Sequence, residues 1–249
     1  MINISLQPEY ILSVFGIPLT NTFLTSVLVT IILGTLGVIF YLREKNNKDI
    51  IFSGMRVLIF ELLKLTDVVT QDRKLSKKIL PLIATFFLFI VTANLLELIP
   101  GFLGSLFISS SVGEFSVLRS PNSDLTTTLA LALVSVFSIQ FFSVQALGVK
   151  RYIERFFNFT NPIEFVLGFF EMISEVVKVV SFSFRLFGNI FAGEVLLLVI
   201  AFLIPYIIPL PFMILEIFVG IIQAFIFAIL TLTFIKTSSM RYIGSGTQN

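Results

Sequence analysis

The side chains that could do chemistry in this sequence are few, and they sit among residues that do none. Lys178 and Arg185 fall inside a proline-free apolar run over 163–204, which also holds Glu171, Glu175 and Asn189. Projected at 100° per residue, these five occupy an arc of about 80°, with Ser174, Ser181, Gly188 and Ala192 on its flank. A charge at bilayer depth is unfavourable by about 2.5 to 3.5 kcal/mol on insertion scales and ordinarily marks an ion path or a relay. Glu175 and Lys178 are three residues apart and can pair. Arg185 has no acid three or four residues away in either direction, so its partner must come from another helix, another subunit or water. The plainer alternatives are a structural ion pair elsewhere in the chain, or snorkelling to an interface from about 20 residues inside either bounding proline.

Two further carboxylates extend the pattern. Glu194 follows Arg185 by nine residues, which puts it half a turn round the helix and about 13.5 Å further along. In the next apolar run Glu216 and Gln223 are seven apart, hence on one face, with Gly220 between them. Antiparallel packing of the two runs would let Glu194 and Glu216 approach each other. Such a pair serves either as a proton relay or as a hydrogen-bonded structural clamp.

The chain has no Cys and no His, which excludes disulfide frameworks, zinc centres and every thiol or imidazole mechanism. An intramembrane protease is equally unsupported, because no span carries a catalytic pair of Asp residues and the serines lack a partnered base. No cofactor or metal site is expected.

The elements that position these groups follow from composition. Of 249 residues 56% are hydrophobic, 13% are charged and 30 are Phe, and the mean hydropathy is +1.01. A soluble domain has about 25% charged residues, so most of this chain is not expected to face water. The reading is an all-α membrane protein, one polytopic membrane domain over 1–249. It has about five transmembrane helices over 19–42, 79–99, 125–149, 163–204 and 212–235, with lipid bilayer as the surrounding partner. Pro18, Pro81, Pro100, Pro121, Pro162, Pro205, Pro209 and Pro211 all fall at or near the expected ends. The stretch 50–71 differs: Ile51, Val57, Leu58, Leu62 and Leu65 recur at helical spacing while Arg56, Glu61, Lys64 and Asp67 interrupt them, the pattern of an interfacial amphipathic helix. No basic region precedes Arg43, so the first apolar stretch is expected to be retained as a span rather than cleaved as a signal peptide.

The fourth run carries a geometric problem. As one helix it would be about 63 Å long, against a hydrocarbon core of about 30 Å. Either it breaks, or it lies steeply tilted along a packing partner, so the last two helices are expected to form a long tilted hairpin.

Apart from Lys178 and Arg185, fourteen basic residues fall in segments on one side of the expected spans, and only Arg119 falls on the other. Excess Lys and Arg marks the cytoplasmic side, which puts the N-terminus outside and the C-terminus in the cytoplasm. A net charge of +2, with no basic cluster interleaved with aromatics, gives no reason to expect nucleic acid as a partner.

Four motifs give these residues a family. Ser183-Phe184-Arg185-Leu186-Phe187-Gly188-Asn189-Ile190-Phe191-Ala192-Gly193-Glu194 resembles the arginine-helix motif RLFGNxxAGE of subunit a of the F-type ATP synthase, and Ile222-Gln223-Ala224-Phe225-Ile226-Phe227 resembles that family's terminal-helix signature. The segments from Pro121 to Leu131 and from Asn94 to Gly101 are similar to two more, and all four occur in family order. The resemblance implies a stator in the Fo membrane sector, without catalytic chemistry of its own, whose last two helices wrap a ring of c subunits and which works beside the peripheral-stalk b subunits. It implies two aqueous half-channels meeting on either side of Arg185, with Glu194 and Glu216 as relay candidates, Asn189 and Gln223 as polar lining, and Asp124 at the outer mouth. The translocated ion would be a proton, or a sodium ion where the c-ring site takes one. Location would be a bacterial plasma membrane ahead of an organellar inner membrane. Many bacterial members carry His where this chain has Glu216, and mitochondrial ones often carry His where it has Glu194. The competing class is a self-contained secondary ion transporter with an intramembrane Arg/Glu site; that would call for internal repeats and broken helices in matching halves, and the sequence has neither.

The charge asymmetry makes a testable statement about topology. Cysteines introduced near Asn3 and Arg119 should react with an impermeant thiol reagent from outside, and cysteines near Lys48, Lys150 and Gly246 from inside. Labelling of the Lys48 and Arg119 positions from one side would contradict the five-span arrangement.

Overall fold

The computed structural model describes residues 10–14, 17–43, 50–98, 107–110, 113–116, 119–156, 162–204 and 207–240. Lys45, Lys48, Ile99, Pro100, Gly101, Pro205 and Arg241 lie outside them. Seven helices follow in order: α1 (Asn21–Arg43), α2 (Ile50–Thr70), α3 (Arg73–Glu97), α4 (Leu125–Leu147), α5 (Val149–Phe156), α6 (Pro162–Leu203) and α7 (Pro209–Met240). Five of them, α1, α3, α4, α6 and α7, are long and apolar enough to cross a membrane. Two short antiparallel hairpins were not anticipated: β1 (Tyr10–Val14) with β2 (Ile17–Thr20), and β3 (Phe107–Ser110) with β4 (Gly113–Ser116).

Three boundaries differ from the sequence reading for identifiable reasons. Pro81 does not open a helix; it lies inside α3, which starts eight residues earlier. That start is capped by Asp72, whose carboxylate accepts from the Lys74 amide at 2.9 Å, and Pro81 leaves unpaired only a carbonyl one turn back, on an exposed stretch of the helix. At α7, Pro209 takes the first helical position, where a missing amide hydrogen loses nothing. The same helix runs past residue 235 to Met240, so Lys236 is helical and its ammonium donates to the Thr70 carbonyl. The third is α5, between the spans expected over 125–149 and 163–204: Gly148, at φ 82°, turns the chain with a positive φ that glycine enters freely, and a separate short helix follows.

α6 is a single unbroken helix of 42 residues. The alternative of a break therefore does not hold, and about 63 Å of continuous helix exceeds a core about 30 Å thick. Its inner face is apolar. Phe182, Leu186 and Ile190 are buried, and the Phe182 ring lies 5.1 Å from Phe227 and 5.8 Å from Phe234 of α7. Phe227 also meets Phe86 of α3 edge-on at 5.3 Å.

Polar contacts fix the register between helices. α4 presents Thr128, Ala132, Ser135, Ile139 and Ser143 as one buried seam, and small residues let helices approach closely inside a membrane. Thr128 shares a hydroxyl hydrogen bond with Ser183 of α6 at 3.2 Å, and Ser135 shares one with Thr231 of α7 at 2.8 Å. Further along, Gln140 meets Glu175 of α6 and Ser143 meets the Ser238 carbonyl of α7, so α4 runs antiparallel to α6 and parallel to α7. α3 meets α7 where the Asn94 amide donates to the Gly220 carbonyl at 3.1 Å. A Cβ at residue 220 would fall 3.0 Å from the Asn94 Cβ, so a larger residue there would push Asn94 aside by a few tenths of an ångström. The result is a bundle whose helices are held in register by hydroxyl and amide contacts along a largely apolar core.

Candidate functional site

Arg185 sits on the outward face of α6, exposed, opposite the buried Leu186. Its Nη2 donates to Ser181 Oγ, one turn earlier, at 3.1 Å. Among the described residues no carboxylate pairs with it. The neighbours on that face, Phe184, Gly188, Asn189 and Ala192, are exposed as well. The guanidinium therefore faces out of the subunit, on a strip of small and polar residues that another helix could pass closely.

The end of the bundle beyond Arg185 gathers one polar cluster. Arg119, counted from sequence only as a lone outer charge, forms an ion pair with Glu194: Nε lies 3.1 Å from Oε1 and Nη2 donates to Oε2 at 3.2 Å, with the two side chains 12% and 11% exposed. Arg119 Nε also reaches Ser123 Oγ at 3.1 Å. Glu216 approaches the same place from α7. Its carboxylate packs on Gly193, the residue before Glu194, so tightly that an added Cβ at 193 would collide with it. The two acidic residues thus come to neighbouring positions, as antiparallel packing requires, but Glu194 has a cation of its own.

Asp124 lies in this cluster as a buried N-cap of α4. Its Oδ1 accepts from the Thr126 amide at 2.9 Å and its Oδ2 from Thr22 Oγ1 of α1 at 3.0 Å. Beside it, Asn122 Nδ2 donates to Asn94 Oδ1 at 2.7 Å, and Asn94 in turn binds the α7 backbone at Gly220. The Asn122 Oδ1 atom is buried without a hydrogen-bond partner, an acceptor suited to a water. Gln223, one turn beyond Gly220, is 9% exposed. Asn94, Asn122 and Arg119 are functional candidates that the sequence reading did not single out, although the first two lie within its motifs. For Arg119 the available signal was its isolation, the one cation in a long stretch of outer and membrane sequence.

A second polar cluster lies on the other side of Arg185. Lys178 Nζ donates to Glu175 Oε1 at 2.6 Å and stands over the Phe234 ring, and Gln140 of α4 donates to Glu175 Oε2. No group of His, Cys, Asp or Glu among the described residues could hold a metal ion.

Residues 23–236 match the sequence model of the family described as ATP synthase A chain. The chain belongs to the ATP synthase A chain family. Relatives named ATP synthase subunit a include one from Moorella thermoacetica, 38% identical over 162 residues, which is 65% of each chain. One from Legionella pneumophila is 28% identical across 91% of this chain and 90% of its own, and one from Campylobacter jejuni is 36% identical across 68% of each. With five apolar helices, this member of the family is an integral membrane subunit of the Fo sector.

The Arg119–Glu194 pair is open to a direct test. Arg119→Ala leaves a nearly buried carboxylate without its cation and should lower the stability of the detergent-solubilised complex by about 3 kcal/mol, most of it restored when Glu194→Gln is added. A thermal melt of the three variants measures this; an Arg119→Ala complex as stable as the wild type would contradict the pairing.

Proposed function

We propose that this chain couples the flow of protons across a membrane to the rotation of a ring of c subunits, as the stator half of the contact. The observation that carries the reading is Arg185: a cation midway along a 42-residue apolar helix, bonded within its own chain to a hydroxyl, facing outward. A guanidinium is charged at any physiological pH and offers planar, bidentate geometry to a carboxylate. A ring that brings one carboxylic acid after another past this point would supply the missing partner. Beside Arg185 each acid is favoured as its anion, so it gives up its proton on one side and must be reprotonated on the other before it returns to lipid.

The flanking clusters suit the two half-channels. On one side Glu216 and Glu194 are the relay candidates, Asn189 and Gln223 line the approach, and Asp124 organises the mouth. Arg119 holds Glu194 in an ion pair, and in this reading Glu216 carries the moving proton. On the other side lie Glu175, Lys178 and Ser181. The basic ends of α2, α3, α5 and α7 face the cytoplasm in this reading, and the N-terminus is outside. Peripheral-stalk b subunits hold the chain against torque, and the c ring decides whether the ion is a proton or sodium.

Arg185→Ala should abolish proton-driven ATP synthesis in an assembled complex, and Arg185→Lys should impair it severely, because a compact ammonium does not reproduce the planar contact. Lys178→Ala should be milder. ATP synthesis in inverted vesicles, with assembly checked by subunit content, gives the answer. Normal coupled synthesis in Arg185→Ala would refute the assignment.

A further inference from the structure

Outside the polar clusters around Arg185, α3 and α4 leave a groove between them. Both helices lean on α7, through Asn94 at Gly220 and through Ser135 at Thr231. Lys236 at Thr70 and Ser238 at Ser143 place the start of α3 and the end of α4 at the same end of α7. The open groove measures about 630 Å³, within the range of about 300 to 1,000 Å³ usual for small-ligand sites. Its walls are Lys78, Leu82 and Thr85 of α3 and Val134, Phe137 and Phe141 of α4. Leu82 and the neighbouring Phe142 pack inward on the buried core and make the floor, whereas Phe137 and Phe141, 71% and 64% exposed, make the rim.

The groove is apolar along its length and charged at one end. Its two hydroxyls are turned back on their own helices, Thr85 donating to the Pro81 carbonyl and Ser138 to the Val134 carbonyl, each at 2.7 Å. Lys78 stands exposed at the basic end, with Lys74 and Lys77 exposed on the same first turns of α3, and the exposed Lys150 and Arg151 follow α4 there. Among the described residues no carboxylate pairs with Lys78. Asp72, the acid nearest to it in sequence, is turned to the Lys74 amide.

Length decides what fits. From Lys78 to Thr85 the α3 wall runs about 10 Å, and from Val134 to Phe142 the α4 wall runs about 12 Å. A transmembrane helix of another protein would need a strip of about 30 Å, whereas an acyl chain occupies one leaflet, about 15 Å. We propose that the α3–α4 groove binds an anionic phospholipid, with the phosphate at Lys78 and one acyl chain along Leu82 and Phe142, beneath the rings of Phe137 and Phe141. The anion relieves the repulsion among three lysines gathered within two turns of one helix, and basic pockets between membrane helices suit such headgroups. The site does not depend on the role given to Arg185.

The test is photo-labelling of the purified, complete complex in detergent. Phosphatidylglycerol and phosphatidylcholine are compared, each carrying the same diazirine-bearing acyl chain, and the labelled residues are located by peptide mass spectrometry. Phosphatidylglycerol should label 78–85 and 134–142 about fivefold more than phosphatidylcholine, the effect of one basic residue at an anionic surface. Lys78→Gln, a change at an exposed position, should bring the two lipids level. Val134→Trp, on the exposed part of the wall, should narrow the groove and lower labelling by both. Unlabelled phosphatidylglycerol should compete, and glycerol 3-phosphate, which has the anion without the chains, should not at the same concentration. Equal labelling of the wild type by the two lipids, or a preference that survives Lys78→Gln, would overturn the proposal. A photoreactive residue in place of Phe137 that cross-links to another subunit, with no lipid label in the groove, would overturn it as well, because a protein helix would then cover the site.

Discussion

A guanidinium on an apolar helix must find an anion or water, and among the described residues of this chain Arg185, exposed on the outward face of α6, finds no carboxylate and bonds only the Ser181 hydroxyl. The other two cations at comparable positions are treated differently, Arg119 being matched to Glu194 and Lys178 to Glu175. Local pairing is therefore available to this fold and is withheld at one place. The long helix makes that possible. Its inner face of Phe182, Leu186 and Ile190 is anchored in the aromatic core with Phe227 and Phe86, so the outer face can remain polar and unmatched without the helix rotating to hide it.

The register of α4 against α6 and α7 then places everything else. Thr128 and Gln140 against Ser183 and Glu175 set an antiparallel contact, and Ser135 and Ser143 against Thr231 and Ser238 a parallel one. The same register carries Gln140 to Glu175 at one end, while the segment before α4 carries Arg119 to Glu194 at the other. Two polar clusters result, on opposite sides of Arg185, with the aromatic contacts of Phe182, Phe227 and Phe86 and two hydroxyl hydrogen bonds between them. Separation of this kind is what two half-channels need, since a continuous wet path would discharge the gradient without turning anything.

What the sequence made legible and what it hid divide along one line. Features carried within a single helix could be read directly: the polar arc from Glu171 to Asn189, the opposition of Glu194 to Arg185, the pairing of Glu175 with Lys178, and the excessive length of the fourth run. Features that need two helices could not. Arg119 is 75 residues from Glu194, and Gln140 is 35 from Glu175, so neither partnership has a local signature. The glycines at 193 and 220 show the same limit, because the side chains that crowd them, Glu216 and Asn94, come from other helices. Pro81 misled for a different reason: proline marks helix ends by tendency, and a strong cap at Asp72 moved the start of α3 past it.

The central claim is that Arg185 keeps two aqueous paths apart, and the measurement that meets it most directly is proton flux through a membrane sector whose rotor has been covalently locked to the stator. With rotation blocked, the wild-type sector should pass no protons under an imposed potential. The locked Arg185→Ala sector should leak, because water and the neighbouring relay groups would then connect the two sides. A locked Arg185→Ala sector as tight as the wild type would contradict the account.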